Sequence, residues 1–515
     1  MRRKATLLAG LVVVAVAVPS TAAVAIDDVN TRKLERAVTV NGILQHERVL
    51  QRIANNNGGT RVSGSPGYDA SAAYVTQKLT DAGYEVTSQE FDFPFFEELG
   101  PSTLSQVYPT PGDIASATFQ YSGAGEVTGT VVAATNVVIP ATPTPSSAAG
   151  CLPGDYAPAS ATDTQVALVQ RGTCNFGVKV ANAVAAGYDA VLVFNEGNPG
   201  RTDLLTGVTL DVPVAVPVLG ISYADGVALY DAAAAGAVTV TLSADTVSET
   251  RTTSNVIADW PEGDPNKVVV VGAHLDSVAE GPGINDNGSG TATILETAIQ
   301  LADVGKKPRQ QVRFAFWGAE ESGLLGSEHY VASLSDDELA TIYANLNFDM
   351  LGSTNYVRFV YDGDGSNSGP DGGQGEAGPP GSAQIESLFT DYFAEKDLAS
   401  APTAFDGRSD YGPFIAAGIP AGGLFSGAEG LKTEEEAAIY GGTAGEPYDP
   451  CYHQACDTIT NLSTAALNEL GDAVAHSVQT LVRTKSGFFE DGSRMAVQQQ
   501  LTAEDFDHRG GALIR

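Results

Sequence analysis

Acids and histidines recur in this chain at the carboxyl ends of apolar runs, the place where open α/β sheets build ligand sites. The stretch from Lys267 to Gly290, KVVVVGAHLDSVAEGPGINDNGSG, sets the pattern. Val268 to Val271 read as a strand buried on both faces, ending at Gly272 and presenting His274 and Asp276. Asp286 follows in a tight Asn-Asp-Asn-Gly-Ser-Gly turn, and a helix begins at about Thr291. His274 offers a metal a neutral nitrogen and Asp286 a carboxylate. Asp276 is spaced to hydrogen-bond the far ring nitrogen of His274 and fix its tautomer. Taken alone, the stretch reads equally well as a strand and an acidic turn.

Three more stretches tilt the reading toward metal. After the strand Val312 to Phe316 comes Trp317-Gly318-Ala319-Glu320-Glu321-Ser322-Gly323-Leu324-Leu325-Gly326-Ser327. Two adjacent glutamates at a buried strand end repel each other unless a positive charge sits nearby. By itself the pair also reads as an exposed helix start, favoured by the helix dipole. Asn347-Phe348-Asp349-Met350-Leu351 closes another apolar strand with an acid. Cys451-Tyr452-His453-Gln454-Ala455-Cys456-Asp457 holds a tyrosine and a histidine in a small candidate disulfide loop. The chain has six histidines, and His46, His329, His476 and His508 lie in helical or tail contexts without a legible acidic partner. The set His274, Asp286, Glu321, Asp349 and His453 suits two zinc ions sharing one carboxylate, with positions left open for water. Mixed N/O ligands also admit manganese or cobalt. Glu320 is then the general base, and Tyr452 a donor to a developing oxyanion.

The elements around these motifs alternate. Leu34 to Ala54 carries helical periodicity, and Tyr68 to Ala82 reads as a second helix stopped by Gly83. Tyr84 to Phe93 alternates as a strand. From Asn255 onward, strands at 255–260, 267–272, 311–317 and 344–349 alternate with helices at 291–304 and from about Gly326. This predicts an α/β fold with a mixed, mostly parallel sheet between helices. The Gly/Asp/Pro-rich segment 362–381 reads as a solvated loop; its acids do not follow the order of an EF-hand.

Between about Phe119 and Val247 charges thin out and short Val/Thr/Ala-rich strands appear. The run VALVQRGTCNFGVKVANAVAAGYDAVLVFNE, Val166 to Glu196, resembles the protease-associated domain, a small β-rich module of secreted proteases and receptors. That resemblance covers residues 119–250 and divides the rest. Residues 26–118 and 251–485 form the two parts of the main domain, and 486–515 a tail.

The chain has 515 residues and a net charge of −34, from 62 acids and 28 bases, which argues against nucleic-acid binding. Met1-Arg2-Arg3-Lys4, an apolar run to Val18 and Ala23-Val24-Ala25 form a secretory signal peptide over residues 1–25. No later stretch is apolar for long enough to span a membrane. The protein is therefore expected outside the cell. Four cysteines in two local pairs, Cys151 with Cys174 and Cys451 with Cys456, fit two disulfides. An all-cysteine zinc site is the alternative, but no C-x-x-C occurs.

Taken together the motifs resemble the secreted bacterial di-zinc aminopeptidases of metallopeptidase family 28. The shared features are the strand-end H-x-D, the N-D-N-G-S-G turn, Glu-Glu before Gly-Leu-Leu-Gly-Ser, the D-M-L-G-S stretch and a late Tyr-His. The resemblance implies that His274 and Asp349 bind one zinc, Glu321 and His453 the other, and that Asp286 bridges. Glu320 would act as base then acid, Tyr452 would polarise the scissile carbonyl, and Asp276 would orient His274. Met350 and Arg408 correspond to the substrate pocket near the free amine. Calcium near the terminal helix is a further family feature; Asp472 stands at a fitting position, with Asn468 where an acid is expected. The implied activity is removal of bulky apolar N-terminal residues from peptides by a monomer. Carboxypeptidase action on the same fold and a non-catalytic binding ectodomain are the competing readings. Retention of all five ligands and Glu320 opposes the ectodomain.

Overall fold

The computed structural model describes residues 29–305, 307–366 and 377–485. The stretches read as a leader at 1–25 and a tail at 486–515, and part of the 362–381 stretch read as a loop, lie outside the described residues. No helix among the described residues is long and apolar enough to cross a membrane.

The four valines behave as an alternating strand requires. Val269 and Val271 enter one core with Ile43, Leu50, Val75, Leu79, Ile294, Leu295, Val474 and Val478. These come from the helices Val40–Asn56, Pro66–Ala82, Gly288–Val304 and Thr464–Leu481. Val268 and Val270 enter the core on the opposite face, with Tyr330, Val331 and Phe414. Their strand, Asp264–His274, pairs in parallel with Gln310–Trp317 on one side and Ile342–Phe348 on the other. Ala421–Phe425 continues the parallel set, while Thr239–Asp259 and Phe359–Tyr361 join it antiparallel. The sheet is mixed and mostly parallel, and helices cover both faces. Four parallel strands therefore end side by side, with Trp317 level with His274. Everything that follows those ends is delivered to one edge.

Two elements differ from the sequence reading. The helical segment from Leu34 breaks into Arg32–Glu35 and Val40–Asn56 because the Thr39 side chain accepts from the Gly42 N–H and starts a new helix. The strand read at 84–93 runs on as Glu85–Tyr108, and the one read at 255–260 is the end of Thr239–Asp259. These two long strands pair antiparallel from Glu85 opposite Asp259 to Tyr108 opposite Thr239, with register shifts near Gly100 that absorb Pro101. The far half of Thr239–Asp259 also pairs with Gly125–Ala133, followed by the parallel strands Gln165–Gln170, Ala190–Phe194 and Val218–Ile221. Helices Phe176–Ala185 and Tyr223–Ala235 complete this second, smaller unit.

Candidate metal centre

The strand ends and the turns after them bring all five sequence-predicted ligands together. His274 Nε2 lies 3.1 Å from Asp286 Oδ1 and 3.3 Å from Asp349 Oδ1. His453 Nε2 lies 3.2 Å from Asp286 Oδ2 and 3.1 Å from Glu321 Oε2. Asp286 thus turns one carboxylate oxygen to each histidine. Glu320 Oε2 is 3.7 Å from His274 Nε2. The Asp276 carboxylate faces His274 from behind, with Oδ1 3.4 Å from Nδ1. It also accepts the backbone N–H of Glu320 (3.3 Å) and of Glu321 (3.4 Å), so one side chain faces the histidine and holds the backbone of both glutamates. The His453 side chain is 35% exposed, and the centre opens to solvent on that side.

Less visible residues hold these groups in register. Asp457 accepts the N–H groups of Asn285 (2.8 Å) and Asp286 (3.0 Å). Asp449 accepts from Asn285 Nδ2 at 2.7 Å and from Cys451 N at 2.9 Å. The loop closed by the Cys451–Cys456 disulfide is therefore anchored at both ends to the Asp286 turn. The Asn287 side chain donates to Phe348 O and accepts from Met350 N, joining Asp286 to the Asp349 segment. Ser409 Oγ donates to Asp349 Oδ2 at 2.6 Å and accepts from Asn347 Nδ2. Arg61, wholly buried, donates to the carbonyls of Leu275, Pro282 and Gly283, and Ser63 Oγ accepts from Ala319 N at 2.6 Å. Ala319, Met350 and His453 adopt left-handed backbone, with φ of 53°, 57° and 54°. Each is a candidate ligand or next to a site acid, and none is a glycine, which marks the strain typical of functional positions.

Met350 is buried in this corner. Arg408 is half-buried, with Nη1 donating to Glu429 Oε1 (2.8 Å) and Nη2 to the Tyr452 hydroxyl (3.1 Å). Tyr452 stacks on the His453 ring at 3.9 Å. Cys151 and Cys174 form the second disulfide, far from the centre in the smaller unit. Asp472 lies within the fields of Glu35 and Lys396. Asp362 and Asp364 at the start of the 362–381 segment approach Glu386 on the helix Ser382–Glu395, with Glu386 Oε2 accepting the Gly363 and Asp364 N–H groups.

The centre is short of positive charge. Burial pushes the Glu320 carboxyl well up, and Asp349 and Glu321 push the same way. Burial and Asp286 raise Glu321 to about 7. Burial opposes the charged form of both histidines, yet Glu320 and Asp349 drive His274 well up, and Glu321 and Asp286 bring His453 to about 11. Glu321 Oε1 and Asp349 Oδ1 are buried without a hydrogen-bond partner. Ligand atoms about 2.0–2.2 Å from one tetrahedral zinc stand about 3.3–3.6 Å apart. The separations around each histidine, 3.1 to 3.3 Å, are close to that spacing. Donor types, spacing, missing partners and missing charge all fit divalent cations on either side of Asp286.

The sequence comparisons agree with this geometry. Residues 255–478 match the model of peptidase family M28, and residues 127–229 that of the PA domain. An aminopeptidase of Pseudomonas aeruginosa is 46% identical over 450 residues, which cover 86% of this chain and 81% of the relative. The chain belongs to peptidase family M28. The peptidase also aligns with the solved aminopeptidase from Aneurinibacillus sp. strain AM-1, at 26% identity and a TM-score of 0.61, over 88% of this chain and 97% of the other. BSAP, a zinc aminopeptidase from Bacillus subtilis, aligns at 25% identity with a TM-score of 0.54 over 88% of this chain and 98% of its own. Sequence reasoning gave no site role to Arg61, Ser63 and Asp457, which reach the site only through folding, and placed Ser409 in the substrate-pocket stretch rather than beside Asp349.

Proposed function

We propose that this peptidase is a secreted two-zinc aminopeptidase that removes bulky apolar N-terminal residues from peptides. The observation that carries the reading is the pair of donor sets that share Asp286, His274 with Asp349 and His453 with Glu321. In this reading His274 and Asp349 would hold one zinc, His453 and Glu321 the other, and Asp286 is common to both sets. Bound zinc would lower the pKa of a bound water and polarise the scissile carbonyl.

The chain's own groups do the rest. Glu320, which lies within ligand spacing of His274 and Glu321, takes the proton of the attacking water and returns it to the leaving amine. The Tyr452 hydroxyl donates to the carbonyl oxygen as it gains charge. Asp276 keeps His274 in one tautomer, so that Nε2 stays free to bind. The carboxylates Glu320 and Asp349 attract the substrate's ammonium. Arg408, the one cation among these motifs, is engaged by Glu429 and Tyr452, which favours amino- over carboxypeptidase action. Tyr361, Phe405 and Tyr411 pack together next to the Arg408–Asp410 segment, and this cluster supports a preference for apolar side chains.

Secretion is supported by the leader-like residues 1–25 and by the pairing of all four cysteines. Within this proposal residues 26–118 and 251–485 make up the peptidase domain and 119–250 the inserted PA domain. Calcium at Asp472 has a competitor in the Lys396 ammonium, 3.0 Å from Glu35.

The test is a panel of aminoacyl-nitroanilides and their N-acetylated forms, with and without a zinc chelator. Chelator-sensitive release from Leu and Phe substrates, and none from the acetylated forms, is expected. Equal cleavage of the acetylated forms would remove the aminopeptidase reading, and release of C-terminal residues instead would establish the carboxypeptidase one.

A further inference from the structure

We propose that Arg408, held by Glu429, is a positioning residue for Tyr452, making its hydroxyl accept one hydrogen bond so that its own proton faces the scissile carbonyl oxygen. The inference rests on the aminopeptidase reading above. It departs from the expectation that Arg408 belongs to the pocket for the free amine. A guanidinium repels an ammonium, and this one is already engaged on the tyrosine and Glu429.

The chemistry of the donors decides the direction. Arginine carries five N–H groups and no acceptor. Arg408 Nη2, 3.1 Å from the Tyr452 hydroxyl, therefore donates, and the phenol oxygen accepts. The tyrosine has a single O–H proton, which must point elsewhere. The Tyr452 ring is fixed by its stack on His453, with centroids 3.9 Å apart and planes 23° apart, so rotation of the hydroxyl is the freedom that remains. Several acids lie around it, with Glu321 on the same histidine. An undirected O–H would turn to one of those carboxylates rather than to substrate. A donor on the phenol oxygen restrains that rotation, and the chained hydrogen bonds strengthen the outgoing one. Glu429 supplies the second anchor. Its Oε1 accepts from Nη1 at 2.8 Å, so the planar guanidinium is held by two of its nitrogens. Glu429 follows the Ser426–Ala428 segment, whose Ser426 Oγ donates to Met350 O, so the anchor's segment is tied to the residue after Asp349.

A double-mutant cycle tests the assignment. kcat, KM and zinc content are measured for the holoenzyme, Arg408→Met, Tyr452→Phe and the double variant on leucine nitroanilide. Tyr452→Phe is expected to lower kcat about 100-fold, as loss of an oxyanion donor does. Arg408→Met should lower kcat about 10-fold with KM within about 3-fold and zinc unchanged, the pattern of a contact made only in the transition state. The double variant should match Tyr452→Phe within about 2-fold, because Arg408 has nothing left to position. Glu429→Gln, at an exposed site that tolerates change, should lose about 3-fold, and only while Tyr452 is present. Losses that multiply in the double variant overturn the proposal. So does a rise in KM with kcat intact, or a loss of zinc in Arg408→Met. Wild-type turnover is read first: its absence sinks the aminopeptidase reading itself, whereas multiplied losses in an active enzyme overturn the Arg408 assignment alone.

Discussion

Glu320 and Glu321 are neighbours in the chain but face different partners. The Glu321 carboxylate meets His453 at 3.1 Å, and that of Glu320 stands 3.7 Å from His274. Asp276 holds both backbone N–H groups, so the two side chains leave a fixed frame in different directions. This division underlies the proposed roles, one a ligand and the other a proton carrier. Glu320→Gln keeps size and hydrogen bonding but cannot take a proton. It should retain two zinc ions per chain by metal analysis and lose about 10³-fold in kcat. Near wild-type turnover would reject Glu320 as the base. The acids and histidines of the centre were legible because they end apolar strands or sit in tight turns. Arg61 was not, since a buried arginine that binds only carbonyls leaves no pattern in sequence. Asp457 was read only as the residue after a cysteine.

The next scale is the set of elements that hold these residues still. The disulfide loop around His453 and the turn around Asp286 are far apart in sequence, and Asp457 joins them through two buried N–H groups. Asp457→Ala leaves both donors unsatisfied, and roughly 3 kcal/mol of stability should disappear from urea unfolding of the holoprotein. A change under about 0.5 kcal/mol would mean water replaces the carboxylate fully. A second junction ties the first helix to the last. Glu35, on Arg32–Glu35, accepts from Thr31 and Lys396 and faces His476 on the Thr464–Leu481 helix. Burial works against its charge, but His476, Thr31 and Lys396 outweigh it and bring its pKa down to about 2. A carboxylate depressed in the folded state contributes stability above its unfolded pKa of 4.5, and that contribution fades as pH falls toward 2. The Tm gap between wild type and Glu35→Gln should therefore narrow between about pH 5 and about pH 3. Solvent screening keeps the effect to about 1 kcal/mol or less. A gap unchanged across that window would contradict the pairing. The sequence hid this junction because Thr39 splits what reads as one continuous helix.

At the scale of the molecule, one sheet runs from the metal centre into the PA unit. The order passes from Ile342–Phe348 through Asp264–His274, Gln310–Trp317 and Thr239–Asp259 to Gly125–Ala133 and beyond. Thr239–Asp259 belongs to both parts, since one end pairs with Gln310–Trp317 and the other with Gly125–Ala133. Periodicity showed its last residues, but Thr- and Ser-rich stretches over the remainder read as separate short strands. The ribbon it forms with Glu85–Tyr108 also touches the centre, because Phe91, Phe93 and Phe95 pack with Ala319, next to Glu320. In the proposed reading, the structure places five ligands and one base around two cations. The most direct test strips the protein with a chelator, returns zinc in measured equivalents and follows leucine nitroanilide turnover. Activity should be near zero without metal and level off at two equivalents per chain. Full turnover in the stripped protein, or a plateau at one equivalent, would contradict the two-zinc centre built around Asp286.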